Sequence, residues 1–186
     1  MRSVEGGGVQ KESQMPLVEG QTGRYFEDFS VGDVYHHPFG RTITEADNAW
    51  FTLLTMNTNQ MHYNDHYASR STFGRQLVNS GLTVAIVLGQ SVLDVSQNAV
   101  ANLSWEKIDL SHPLFVGDTV YSESRVVETR DSQSRPYAGI VTVQTRGMNQ
   151  DGEVVITYKR SVMVYKRAAT YDKGYFPVAN ADWPED

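Results

Sequence analysis

The chain has 186 residues, 40% hydrophobic and 20% charged, which supports one sizeable core and calls for no second domain. Its net charge of -6 with no basic cluster excludes a dedicated nucleic-acid surface, because nothing is available to replace the counterions on phosphates. The lack of any cysteine excludes disulfides, thiolate metal sites and a cysteine nucleophile, and fits a reducing compartment, so a cytoplasmic location is expected.

Residues 1–22 are rich in Gly, Gln and Glu without a continuous apolar segment, so a flexible N-terminal tail is expected rather than a leader. The longest apolar run, residues 82–88, is too short to span a bilayer, and no membrane association is expected. Structure begins near Tyr25. Phe26-Glu27-Asp28-Phe29-Ser30-Val31-Gly32-Asp33 reads as a turn-rich entry to a strand over residues 34–43. Thr44 followed by Asp47 is a weak capping box, and Ala46, Ala49, Trp50, Leu53 and Leu54 recur at helical spacing up to about Thr55.

A polar run follows, Met56-Asn57-Thr58-Asn59-Gln60-Met61-His62-Tyr63-Asn64-Asp65-His66-Tyr67, longer and richer in amides and imidazoles than a plain connection. Within it Asn64 can cap a helical turn over residues 65–69. Ser71-Thr72-Phe73-Gly74-Arg75 breaks the period. A longer helix is expected over residues 78–93, apolar nearly all round and therefore wrapped by other structure. Strands are expected over residues 99–108, 119–127, 139–146 and 153–165, the last interrupted at Arg160. Asp151-Gly152 joins the final two as a hairpin, since both residues tolerate positive φ. Residues 168–186 mix aromatics, Pro and acids without period, a C-terminal tail expected to pack through Tyr171, Tyr175 and Phe176 on the surface or on a neighbouring subunit.

The run from Met56 to His62, the Phe73-Gly74-Arg75 turn and Ser80-Gly81-Leu82-Thr83 at the helix start resemble the MaoC-like, R-specific enoyl-CoA hydratase family. Residues 98–103 and 149–155 look like its branch acting on mesaconyl-CoA and related C5 thioesters. The resemblance implies an α+β hotdog fold over residues 23–167, a curved antiparallel sheet wrapped around one long buried helix. It also implies reversible hydration of a short, branched or dicarboxylic enoyl-CoA, mesaconyl- or itaconyl-like. CoA would be part of the substrate, with no separate cofactor, and the chain would pair as a homodimer or higher homo-oligomer.

In that family an aspartate five residues before the catalytic histidine shares the attacking water with it; here the histidine position is His62 and the aspartate position is Asn57. An amide orients water but cannot accept its proton at neutral pH. Three outcomes stay open: His62 works alone as base and acid while Asn57 and Asn59 hold the water, Asp65 or Asp47 replaces the missing carboxylate, or the site binds a thioester without hydrating it. The Gly81 amide either stabilises the enolate from the helix start or marks close helix–strand packing. Asn79 and Ser80 either line the site or cap the helix. Arg75 and Arg41 are the candidate partners for a second acyl carboxylate, Arg75 being preferred. His62 with His66, and the pair His36-His37, give too few ligands for a metal, so none is expected. A thioesterase and a non-catalytic acyl-CoA-binding subunit are the alternatives to a hydratase.

Overall fold

The computed structural model describes residues 20–169, 177, 179–181 and 183. The expected packing of Tyr171, Tyr175 and Phe176 lies outside them, as does nearly all of the segment 1–22. Six antiparallel strands form the sheet: β1 (Val34–His36), β2 (Arg41–Thr42), β3 (Ala99–Asp109), β4 (Thr119–Asp131), β5 (Ala138–Met148) and β6 (Val154–Tyr165). Their order is β1-β4-β5-β6-β3, with β2 also paired to β4. The helices are α1 (Glu45–Leu54), the short α2 (Asp65–Ala68) and α3 (Ser80–Gln90). No helix of the described residues is long and apolar enough to cross a membrane.

Local chemistry sets several of these boundaries. Thr44 Oγ1 accepts the Asp47 N–H while Asp47 Oδ2 accepts the Thr44 N–H, closing a reciprocal box that starts α1. The β5–β6 turn is braced by Asn149, whose Oδ1 accepts from both Asp151 and Glu153, with Gly152 at φ 80°. The expected strand over residues 34–43 is split in two, because Pro38 has no N–H to give a ladder and the chain turns at Gly40 against the Tyr121 ring before rejoining β4.

The core between α3 and the sheet is built from Val78, Leu82 and Val87 against Ile43, Val120, Val155 and Ile156. Gly147 makes room for it. A Cβ there would stand 2.7 Å from Val87 Cγ2 and 2.8 Å from Ile156 Cγ2. The helix is shorter than residues 78–93: Asn79 caps its start, and after Ser91 a π-helical turn, Val92–Ser96, carries the chain into β3. Nor is it wrapped all round. Leu82, Thr83 and Val87 are buried, whereas Gly81, Ala85 and Gly89 are exposed.

One further expectation is corrected. Arg160 does not interrupt β6: it pairs with Val143 and is 1% exposed, pointing inward with Tyr158 and Val162, with Nη2 3.4 Å from Ser91 Oγ. In α1 the apolar residues at helical spacing face outward, with Trp50, Leu53 and Leu54 exposed, while Asn48 and Thr52 are fully buried. The reason is that this face meets backbone carbonyls and an amide rather than aliphatic side chains, so polar groups are what it must present.

Candidate active site

The polar run leaves α1 through a left-handed residue. Met56 has φ 59°, the Met56 N–H donates to Leu53 O at 3.1 Å and the Asn57 N–H to Thr52 O at 3.0 Å, the paired bonds of a Schellman ending. That turn delivers Asn57, whose Oδ1 accepts the Asn59 N–H at 2.9 Å. Asn59 Oδ1 in turn accepts from Met61 at 3.1 Å and caps the 3-10 turn Gln60–His62. Asn64 caps α2 as expected, its Oδ1 accepting from Tyr67 at 3.1 Å.

His62 stands at the end of this chain of caps, 7% exposed. Its Nδ1 lies 2.8 Å from the Leu77 carbonyl oxygen. A carbonyl can only accept, so the hydrogen of the neutral ring sits on Nδ1 and Nε2 keeps a lone pair. A base needs that tautomer.

The sequence did not single out Asn48 and Thr52, which hold this arrangement together with Asn79. Asn48 Nδ2 donates to His62 O at 2.8 Å and to Leu77 O at 3.0 Å, and Asn48 Oδ1 accepts the Asn79 N–H at 2.9 Å. Asn79 Nδ2 reaches Thr52 Oγ1 at 3.0 Å. Two polar residues four apart, on the face of α1 opposite Trp50 and Leu54, are the signal that could have found them.

The remaining candidates separate clearly. Asn79 is a cap: its Oδ1 accepts the Gly81 N–H at 2.9 Å, so that amide already has a partner. Gly81 also packs tightly, since a Cβ there would meet the Phe51 ring at 3.1 Å. Ser80, exposed, rims a cleft of about 270 Å³ beside the start of α3, with Phe73, Leu77, Thr83, His112 and Leu114. A larger hollow of about 430 Å³ lies elsewhere, on the sheet among Glu123, Arg125, Gln144 and Arg146, and contains none of the candidate residues. Asp47 and Asp65 are both engaged by neighbouring side chains. Asp47 is committed to Thr44 and to Arg41 at 2.7 Å, which with the surrounding hydrogen bonds holds it below the usual carboxylate range; Asp65 accepts from Gln76 at 2.8 Å. Arg41 is thereby occupied as well. Arg75 is not: its guanidinium lies 3.7 Å over the Phe115 ring, and among the described residues no carboxylate pairs with it.

Among the histidines, His36 is exposed and 2.8 Å from Glu123, whereas His37 is buried with Nδ1 2.8 Å from Asp94 and Nε2 3.0 Å from Ser124 Oγ. Burial pushes His37 below its ordinary value, outweighing the neighbouring carboxylate. Among the described residues no three His, Asp or Glu side chains group as metal ligands.

Residues 17–182 match the mesaconyl-CoA hydratase family. The chain belongs to that family. A mesaconyl-CoA hydratase from Cereibacter sphaeroides is 36% identical over 145 residues, covering 78% of this chain and 42% of the relative. A beta-methylmalyl-CoA dehydratase from Chloroflexus aurantiacus is 37% identical over 145 residues, 78% of this chain and 41% of its own length. Among solved structures, a putative MaoC domain protein dehydratase from Chloroflexus aurantiacus superposes with a TM-score of 0.76 at 33% identity, covering 91% of this chain and 46% of the other. The α+β fold is therefore the MaoC-like hotdog, and the match covers less than half the length of the mesaconyl-CoA hydratase and the beta-methylmalyl-CoA dehydratase.

Proposed function

We propose that the protein adds water reversibly across the double bond of a short, branched, dicarboxylic enoyl-CoA of the mesaconyl kind. The observation that carries this is the buried His62 with Nδ1 bound to Leu77 O and Nε2 left as a proton acceptor. In hydration Nε2 takes a proton from water as the oxygen bonds to the β-carbon, and the imidazolium then returns a proton to the α-carbon. Asn57 and Asn59 hold the water through their amide nitrogens, since their side-chain oxygens are bound to the backbone. Negative charge develops on the thioester oxygen as the enolate forms. The N-terminal end of α3 stabilises it through its dipole, the Gly81 N–H itself being held by Asn79 Oδ1.

The second carboxylate would be taken by Arg75. Its guanidinium lies over the Phe115 ring while the N–H edge remains for a bidentate contact, which the occupied fork of Arg41 cannot offer. Pairing with a second hotdog unit, here another copy of the chain, is supported by two surfaces. One is the outer edge of β3, unpaired among the described residues and carrying exposed Leu103, Trp105 and Ile108; the other is the exposed, small-residue face of α3. Relatives about twice as long fit the same need.

The test is to incubate the chain with a panel of enoyl-CoAs and follow the conjugated thioester absorbance together with free thiol. Loss of absorbance without thiol release is the expected result, fastest with mesaconyl-type esters. Thiol release would make the protein a thioesterase, and tight binding of esters with neither signal would make it a binding subunit.

A further inference from the structure

We infer that Asn48 is a positioning residue for the reaction, fixing the tautomer and the place of His62 by clamping the two carbonyls from which the histidine is hung; this rests on His62 being the base. Asn48 is 0% exposed and lies 14 residues before His62, on a different element. Both hydrogens of its amide are spent. One goes to His62 O at 2.8 Å, fixing the backbone end of the histidine, and the other to Leu77 O at 3.0 Å.

Leu77 O is the same atom that receives His62 Nδ1 at 2.8 Å. A carbonyl oxygen has two lone pairs, and here Asn48 occupies one and the imidazole the other. The carbonyl is further held by its own strand-like neighbours, with Leu77 bridged to Phe115 and Val78 N–H bonded to Leu114 O at 2.8 Å. Asn48 Oδ1 meanwhile accepts the Asn79 N–H at 2.9 Å, and one turn further along α1 Thr52 holds the Asn79 side chain at 3.0 Å. The residue that caps α3, and so aims its positive end, is thus tied to the residue that orients the base.

Only an amide of this length meets these demands. Aspartate would accept from Asn79 but would turn a carboxylate toward two carbonyl oxygens, and alanine would leave both carbonyls and an N–H without partners in a buried place. The backbone of His62 would then lose its anchor, and the imidazole could shift from Leu77 O and place its hydrogen on Nε2, where it could not take a proton from water. Asn48 lies beneath the turn and does not face the cleft, so its loss should act on turnover rather than on binding.

The experiment uses the full chain labelled with 15N-histidine. Long-range 1H–15N spectra report the His62 tautomer, with the signal assigned through His62→Gln, and kcat and KM are measured on the enoyl-CoA that the unaltered chain turns over fastest. The expected result is a single Nδ1–H tautomer in the unaltered chain, and a mixed or Nε2–H population in both Asn48→Ala and the near-isosteric Asn48→Asp. With it goes a fall in kcat of about 10- to 100-fold, the usual scale for an orienting partner, while KM holds. An Nε2–H tautomer in the unaltered chain overturns the proposal without any variant. So does an unchanged tautomer in a folded variant, even if kcat falls, because the residue would then only support the fold. Should alanine prevent folding, the aspartate variant decides. If the unaltered chain hydrates nothing, the functional reading fails on its own, and the tautomer comparison still decides what Asn48 does.

Discussion

The side-chain oxygen of Asn57 accepts the backbone N–H of Asn59 at 2.9 Å, so the residue at the position where the MaoC-like resemblance implies an aspartate braces the loop that carries the histidine. A carboxylate could make the same bond with one oxygen and keep the other for water. Asn57→Asp is therefore expected to leave the loop in place and add a second proton acceptor, raising kcat on straight-chain enoyl-CoAs by roughly 100-fold, the lower end for a positioned general base. Steady-state rates on a crotonyl-type ester decide it. A fall would mean that the amide's donor is what the water needs, and that the reaction has been rebuilt around it.

The turn just before Asn57 offers a separate stability test. Met56 is 87% exposed at φ 59°, in the place where a Schellman ending favours glycine. Because Cβ crowds the backbone there, Met56→Gly should stabilise the chain by about 0.5–1 kcal/mol, the greater freedom of glycine in the unfolded state offsetting part of the relief. The urea midpoint should move up. A lower midpoint would show that the methionine side chain contributes packing that its exposure conceals.

How much of this was legible depended on range along the chain. Thr44 with Asp47, Asn64 before α2 and Asp151-Gly152 were readable because their partners lie within three or four residues. His62 was readable because a histidine in a polar run between helices is chemically conspicuous. Its support was not. The bonds from Asn48 to His62 and Leu77 span 14 and 29 residues, and they invert the usual rule by burying the polar face of α1 while Trp50 and Leu54 stay exposed. Arg160 misled for the same reason: a guanidinium inside a strand looks like an interruption unless its inward neighbours, Tyr158 and Ser91, are known. The apolar girth of α3 pointed to a helix wrapped on every side, but Leu82, Thr83 and Val87 are buried while Gly81, Ala85 and Gly89 stay exposed.

Gly147 tests how closely α3 must approach the sheet. With a Cβ only 2.7 Å from Val87 Cγ2 and 2.8 Å from Ile156 Cγ2, Gly147→Ala forces apart two fully buried β-branched side chains on opposite sides of the same contact. Overpacking of this kind costs about 1–3 kcal/mol. Thermal melts should show the loss, and since Val87 lies two turns along α3 from the cap at Asn79, the His62 tautomer should be unaltered. An unchanged melting temperature would mean that helix and sheet slide apart at little cost.

His37 gives the acid dependence its sign. The imidazole is buried between Asp94 and Ser124, where it fits as the neutral ring, Nδ1–H donating to the carboxylate and Nε2 accepting from the hydroxyl. Burial pushes it below the ordinary 6.5, the charges of Arg160 and Arg24 working in the same direction and Asp94 against it. The unfolded chain therefore binds a proton near pH 6.5 that the folded chain still refuses, so this contribution is full above that pH and is lost as pH falls toward the depressed folded value. Asp94 follows at lower pH: burial would raise it, but the bonds from His37 and Arg24 outweigh burial and hold it below 3.8, so its contribution is present above 3.8 and disappears beneath. Urea unfolding at pH 7.5, 6.5 and 5.5 should show stability declining across the lower interval, and His37→Gln, which cannot titrate, should flatten that decline while lowering stability at pH 7.5. A slope as steep in the variant as in the parent would assign the acid sensitivity to other groups.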